Sequence, residues 1–182
     1  MMVGFTNKYR YQLKKVKLNF PNLPDAFKGL KMVHISDVHS GSFTDKKAVE
    51  HGVQMIMDQQ ADIILFTGDL VNDRAGEMAE YTDLFGRLQA PMGVYSTLGN
   101  HDYGDYKSWS SPEEKIQNLE NLKQLQANMG WRLLMNEHVI LEKKGQQIAL
   151  LGIENWGAKA NFPKYGKLHE AYAGTEKYPF KI

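Results

Sequence analysis

Three short apolar runs constrain the fold of this chain more than any other feature: Met32-Val33-His34-Ile35, Ile63-Ile64-Leu65-Phe66 and Val94-Tyr95-Ser96-Thr97-Leu98. Each is rich in β-branched or aromatic residues and none alternates strictly, which is how strands buried on both faces read. Between them the apolar residues switch to helical spacing. Val49, Val53, Ile56 and Met57 form one stripe, opened by Thr44-Asp45 as a cap. Met78, Tyr81, Leu84, Phe85 and Leu88 form a second, within a helix expected from about 77 to 88. Strand, helix, strand, helix, strand predicts right-handed crossovers and a parallel sheet, an α/β fold.

Each run ends in a polar cluster: Ser36-Asp37-Val38-His39, then Thr67-Gly68-Asp69, then Gly99-Asn100-His101-Asp102. Asp69 lies 32 residues after Asp37, and Asn100 lies 31 after Asp69. One strand–helix–strand unit takes roughly thirty residues. The clusters are therefore predicted at one carboxyl-terminal sheet edge, where open α/β folds place their ligands.

Downstream, Ser111-Pro112-Glu113-Glu114 opens a third helix with Pro in the first turn, and Ile116, Leu119, Leu122 and Leu125 are its expected apolar stripe. Three strands follow in the reading, Trp131 to Met135, Val139 to Glu142 and Ile148 to Ile153. The last two flank Lys144-Gly145-Gln146 as a hairpin. An antiparallel section is thus expected after the parallel one.

The 182 residues suffice for one domain with a sizeable core. A content of 42% hydrophobic and 24% charged residues argues against disorder. The net charge of +1 gives no reason to expect nucleic acid as a partner. No cysteine is present, which excludes a disulfide framework, Cys-ligated zinc and a cysteine nucleophile. Any metal must be held by His, Asp, Glu and Asn, a donor set suited to manganese, iron or zinc more than to copper(I). There is no Gly-x-Ser-x-Gly nucleophile elbow and no Walker A loop, which counts against a serine hydrolase and a nucleotide-binding ATPase.

No apolar run reaches the length of a membrane span, and the chain as given is expected to be soluble. Lys8, Arg10, Lys14, Lys15 and Lys17 are locally basic, with no acidic residue before Asp25. Such a cluster reads either as a juxtamembrane anchor or as a solvated strand edge. The alternation of Val16, Leu18 and Phe20 with Lys15, Lys17 and Asn19 favours the strand. Residues 1–29 are therefore read as an N-terminal basic strand and turn, and 30–182 as the main domain.

Two Asp, two His and an Asn brought to one edge would repel or stay unsatisfied unless a cation joins them. Asp69 is the central candidate, because a carboxylate can bridge two ions. Asp37 and His39 lie two apart beyond a strand end and can turn toward one ion, while Asn100 offers a neutral oxygen to another. Gly68 and Gly99 allow sharp bends and close backbone approach. Each piece alone is weak, since Asp-x-His and Gly-Asp commonly mark ordinary turns. Their order at strand ends of matched spacing is the informative observation.

On these residues the chain resembles the calcineurin-like metallophosphoesterase superfamily. Asp37-Val38-His39, Gly68-Asp69 and Gly99-Asn100-His101-Asp102 match its first three blocks, Asp-x-His, Gly-Asp and Gly-Asn-His-Asp/Glu. The resemblance is strong over 30–102 and looser beyond, and is nearest to a bacterial branch often found behind N-terminal membrane helices. It implies an αββα four-layer sandwich and two divalent metal ions, of manganese, iron or zinc. Asp37 and His39 would hold the first ion, Asp69 would bridge, and Asn100 would hold the second. His101 would be the general acid, with Asp102 orienting its ring. The implied activity is hydrolysis of a phosphate ester or pyrophosphate in a phosphorylated small molecule or lipid-linked substrate. A longer form is compatible with membrane association.

The family's lone His and its Gly-His-x-His block have no counterpart. Downstream only His138 and His169 remain; His138 reads as solvent-facing or capping and His169 as helix surface. His51 also reads as helix surface, and His34 as a buried core residue. The ending Tyr178 to Ile182 reads as the opening of a further strand. The chain is accordingly expected to be incomplete at the C-terminus and impaired in catalysis, with a metal- or partner-binding remnant as the alternative. Glu154-Asn155-Trp156-Gly157 reads as a turn closed by a packed Trp, or else as a wall of the substrate mouth.

Overall fold

A computed structural model describes residues 8–157 and 164–182. Its main sheet has four parallel strands in the order β1 (Met32–Ile35), β2 (Ile63–Thr67), β3 (Val94–Thr97) and β4 (Arg132–Leu133). The order follows the chain, so successive right-handed crossovers all fall on one face. That face carries α1 (Lys46–Met57), α2 (Thr82–Phe85) and α3 (Pro112–Asn128). Val49, Val53, Leu84, Phe85 and Leu122 pack there against Ile64, Phe66 and Val94. The opposite face is covered by an antiparallel hairpin, β5 (Glu137–Lys143) and β6 (Gln146–Gly152). Its Val139, Leu141, Ile148 and Leu150 meet Ile63, Leu65 and Tyr95. Residues 63 and 65 thus face one layer and 64 and 66 the other, which is why β2 reads as an unbroken apolar run.

A fourth layer, α4 (Leu168–Tyr172), packs on the outer face of the hairpin. Ala149 and Ala171 are fully buried between them, and the ring of His138 bonds the carbonyl of Ala171 through Nδ1 at 2.9 Å. The layers therefore run helix, sheet, sheet, helix, the expected αββα order. The chain's last residues extend the hairpin: Ala149 N–H donates to Phe180 O at 3.1 Å, and Ile182 N–H to Ala149 O at 2.9 Å.

The caps lie where the residues imply. Asp45 accepts from Ala48 N–H and opens α1, and Ser111 accepts from Glu114 N–H ahead of Pro112. Five expectations are corrected. The helix expected over 77–88 is broken into a 3-10 turn, Ala75–Met78, and the short α2. There the Thr82 hydroxyl donates to the Met78 carbonyl, a local bond that competes with helix continuation. Met78, Tyr81, Leu84, Phe85 and Leu88 are nonetheless all buried. Ile116 is exposed, because α3 buries a narrower stripe through Leu122. β4 extends the parallel sheet instead of opening the antiparallel section.

β1 is an edge strand. Met32 and His34 lie on an open face, because the hairpin reaches under β2 and β3 but not under β1. His34 is thus exposed, with Nε2 2.7 Å from the Thr67 hydroxyl, and not a core residue. Finally, residues 10–20 form no strand, and Val16 and Leu18 are 66% and 68% exposed. Alternation makes a strand only where a neighbouring strand offers its backbone groups, and this segment pairs with none. Among the described residues no helix is long and apolar enough to cross a membrane.

Candidate metal centre

The loops after β1 and β2 stay zipped beyond the sheet. Asp37 N–H donates to Gly68 O, His39 N–H to Asp69 O and Ser40 N–H to Leu70 O, each at 3.0 Å. Within this zipper three non-glycine residues are left-handed, Asp37 at φ 54°, His39 at 47° and Asp69 at 60°. Such a conformation costs about 1 kcal/mol or more for an L residue and gathers at functional sites. The third loop is pressed against the second. A Cβ on Gly68, itself at φ 94°, would lie 2.1 Å from the Gly99 nitrogen, and one on Gly99 would lie 2.2 Å from Asp69 Oδ1. Both positions therefore require glycine.

Asp102 fastens the two loops. Fully buried, its carboxylate accepts the backbone N–H groups of Asp69 (2.9 Å), Leu70 (2.8 Å), Val71 (3.3 Å) and Gly99 (2.9 Å). Burial pushes its carboxyl up to about 6 and the nearby Asp69 charge adds to this, while the N–H donors act in the opposite sense. This corrects its expected role. Asp102 does not orient the His101 ring, since residues 101 and 102 are successive positions of a 3-10 turn, His101–Tyr103, whose side chains diverge. The ring is held instead by the Asn72 carbonyl, 2.8 Å from Nδ1.

The imidazoles of His39 and His101 meet edge to face with centroids 4.7 Å apart. Asp69 lies between the loops that carry them. Its Oδ1 accepts the His101 backbone N–H at 2.9 Å, and its Oδ2 lies 3.8 Å from His39 Nε2. One donor atom from each of His39, Asp69 and His101 falls within 4.8 Å of the others. Metal–ligand bonds of about 2.0–2.2 Å put ligand atoms at comparable separations, so this donor set suits a divalent cation. Asp37 is exposed on the same edge but outside this group. Asn100 is half-buried and donates through Nδ2 to the Tyr106 hydroxyl at 2.8 Å.

Two residues here were not singled out from the sequence. Asn72 acts through its backbone carbonyl, which no side-chain pattern reveals. Tyr106 lies over the His101 ring with centroids 4.5 Å apart, returned by a left-handed turn at Gly104 (φ 66°). The signal was that glycine, two residues past the third cluster. Asn72 and Tyr106, with Arg74, Glu77 and Lys107, line an open cavity of about 420 Å³ beside His101.

The remaining histidines stand apart: His51 and His169 are exposed on helices, and His138 bonds α4. Glu154 accepts the Tyr103 hydroxyl at 2.8 Å, and burial together with this bond pushes the Tyr103 phenol up. Trp156 is 58% exposed, so the turn is not closed by a packed Trp.

With this geometry in place, comparison with known proteins decides the family. A family model described as calcineurin-like phosphoesterase matches residues 30–171. The chain belongs to that family. Among calcineurin-like phosphoesterase relatives, it is 28% identical over 163 residues to the uncharacterized metallophosphoesterase YkoQ of Bacillus subtilis, covering 86% of this chain and 56% of that one. It is 26% identical to a transmembrane protein with metallophosphoesterase domain of Danio rerio, over 83% of this chain and 33% of that one. It is 38% identical over 100 residues to UDP-2,3-diacylglucosamine pyrophosphatase LpxG of Chlamydia trachomatis, covering 53% of this chain and 30% of that one. The chain thus spans about a third to a little over half of these relatives' lengths.

Proposed function

We propose that this chain carries a phosphoesterase site that hydrolyses phosphate esters or pyrophosphates. The observation that carries the reading is the convergence of His39, Asp69 and His101 at the carboxyl edge of the parallel sheet. In the reaction, a water oxygen bonds to phosphorus with loss of one proton to solvent, and the bond from phosphorus to the leaving oxygen breaks. His101 gives a proton from Nε2 to that oxygen. Nδ1–H donation to the Asn72 carbonyl keeps Nε2 as the nitrogen available for this transfer. Two divalent ions, of manganese, iron or zinc, held by Asp37, His39, Asp69 and Asn100, would supply positive charge at the phosphoryl oxygens and a more acidic water. The name of the Chlamydia relative brings lipid-linked pyrophosphates into the candidate substrates. The transmembrane relative supports membrane association for a longer form.

A second reading, metal binding without turnover, is favoured by the small donor group among the described residues, three side chains. Metal content and turnover of a generic aryl phosphate ester separate the two. Asp69→Ala is expected to lose metal and turnover together, because it removes the central carboxylate. His101→Ala is expected to keep its metal and lose turnover by about 10²–10⁴-fold. Release of metal from His101→Ala as complete as from Asp69→Ala would make His101 a ligand and remove it as the acid. Stoichiometric metal with no turnover in the unaltered chain would establish the second reading.

A further inference from the structure

We propose that Tyr106 is a positioning residue of this site, its hydroxyl anchoring the Asn100 amide by Nδ2 so that Oδ1 is left for the metal position and its ring fixing the plane of the His101 imidazole. The inference rests on the phosphoesterase reading and goes beyond the three matched blocks, which end at Asp102.

The loop after the third block doubles back at Gly104, where an added Cβ would lie 2.8 Å from the Trp109 ring and 3.1 Å from Asp73 O. That reversal lays Tyr106 across two residues of the block at once. A hydroxyl can pair with either end of a side-chain amide, but only Nδ2 can bond to it while Oδ1 is turned to a cation. Here the Tyr106 hydroxyl accepts from Asn100 Nδ2 at 2.8 Å, which turns Oδ1, the end able to bind a cation, to the other side.

The same tyrosine covers one face of the His101 ring, at 4.5 Å and 34°. The His39 ring meets His101 at 89° and the Asn72 carbonyl holds Nδ1. Three contacts therefore fix the imidazole and leave Nε2 without a bond among the described residues. Tyr106 is 51% exposed, so its burial contributes little to stability and its removal should leave the fold intact. A large tyrosine half in water, bonded to one site residue and stacked on another, is better explained by the site than by the core.

The test uses the unaltered chain, Tyr106→Phe, Tyr106→Leu and Asp69→Ala. Three quantities are read: Mn2+ affinity by electron paramagnetic resonance titration, the exchange rate of the His101 Nδ1 proton by NMR, and thermal unfolding without metal. Tyr106→Phe keeps the ring and loses the hydroxyl, so Mn2+ affinity is expected to fall about tenfold, the size of effect found for groups that orient ligands. Nδ1 exchange should stay within twofold. Tyr106→Leu is expected to lose the same affinity and also to speed Nδ1 exchange at least tenfold, with both variants unfolding near the unaltered midpoint.

Unchanged affinity in Tyr106→Phe overturns the hydroxyl's role, and unchanged exchange in Tyr106→Leu overturns the ring's. A drop of both variants' midpoints in proportion to their affinity loss overturns positioning in favour of a structural role. If the unaltered chain binds no Mn2+, or Asp69→Ala binds it equally well, the metal reading itself fails and the Tyr106 assignment with it. Asp69-dependent binding that both Tyr106 variants retain sinks the Tyr106 assignment alone.

Discussion

The carboxyl edge of the parallel sheet and the tip of the β5–β6 hairpin use the same backbone conformation for different ends. At the hairpin tip, Lys144 and Gly145 at φ 51° and 75° form the two-residue turn whose twist matches the flanking strands. There the left-handed conformation reverses the chain, and nothing lies within 4 Å of Gly145's missing Cβ. At the sheet edge, Asp37, His39 and Asp69 take it up without reversing anything. They stay in the ladder between two loops, and the effect is to turn side chains toward one another. Around them the backbone is so close that Gly68 and Gly99 have no room for a Cβ. Backbone strain that shapes a turn is local. Strain that aims a carboxylate and imidazoles must be held by neighbours, and Asp102 is the residue that holds it.

Replacing the two glycines breaks this comparison most directly. Gly68→Ala puts a Cβ on the Gly99 backbone nitrogen in a conformation that L residues rarely adopt. The loss is expected to be about 4 kcal/mol or more, in the range reserved for severe strain. Gly145→Ala meets open space and bears only the left-handed penalty, about 1 kcal/mol. Urea unfolding of both variants measures the difference. Equal losses would mean that the sheet-edge loops relax as freely as the hairpin tip.

Asp102→Asn sharpens the comparison with an intermediate effect. Each carboxylate oxygen accepts two backbone N–H groups, Oδ1 from Leu70 and Val71 and Oδ2 from Asp69 and Gly99. An amide keeps the shape but presents an NH2 to one of these pairs, leaving two buried donors unpaired. A loss of about 3 kcal/mol is expected, with each unmet buried group costing about 1–3 kcal/mol. Mn2+ affinity should fall with it, since the same bonds hold the backbone of Asp69. A stable Asp102→Asn with weakened metal binding would instead make Asp102 an electrostatic partner of the site and not its fastener.

The contrast also explains what the sequence made legible. The three parallel strand runs, the caps of α1 and α3 and the polar clusters after the strands are short-range patterns, and each appears where the local sequence put it. The shared edge follows from crossover handedness and spacing alone. His34 was misread because whether β1 is covered depends on how far a hairpin a hundred residues later extends. Val16 and Leu18 were misread because alternation says nothing about whether a pairing partner exists. Asp102 and His101 are adjacent in a motif, yet the turn between them sends one into a nest of N–H groups and the other to a backbone carbonyl. Asn72 and Tyr106 act through a main-chain oxygen and a doubled-back loop, neither of which leaves a side-chain period to detect.

A bond between the sheet edge and the segment past β6 carries the smallest expected effect. Tyr103, in the turn that begins with His101, donates to Glu154 in the segment just past β6, at 2.8 Å. Glu154 also accepts from the Asn136 side chain, so it keeps a partner when the tyrosine hydroxyl is removed. Tyr103→Phe therefore deletes one half-buried bond to a charged acceptor without leaving that acceptor bare, and a loss of about 1–2 kcal/mol is expected. The ring itself remains, packed against Tyr165 with centroids 4.4 Å apart. Because Asp102 and Gly99 fix the site loops independently of Glu154, Mn2+ affinity should stay within about twofold, which corresponds to roughly 0.4 kcal/mol. A much larger fall in affinity than in stability would show that the sheet edge depends on the hairpin half for its geometry, and the division between the two regions would have to be redrawn.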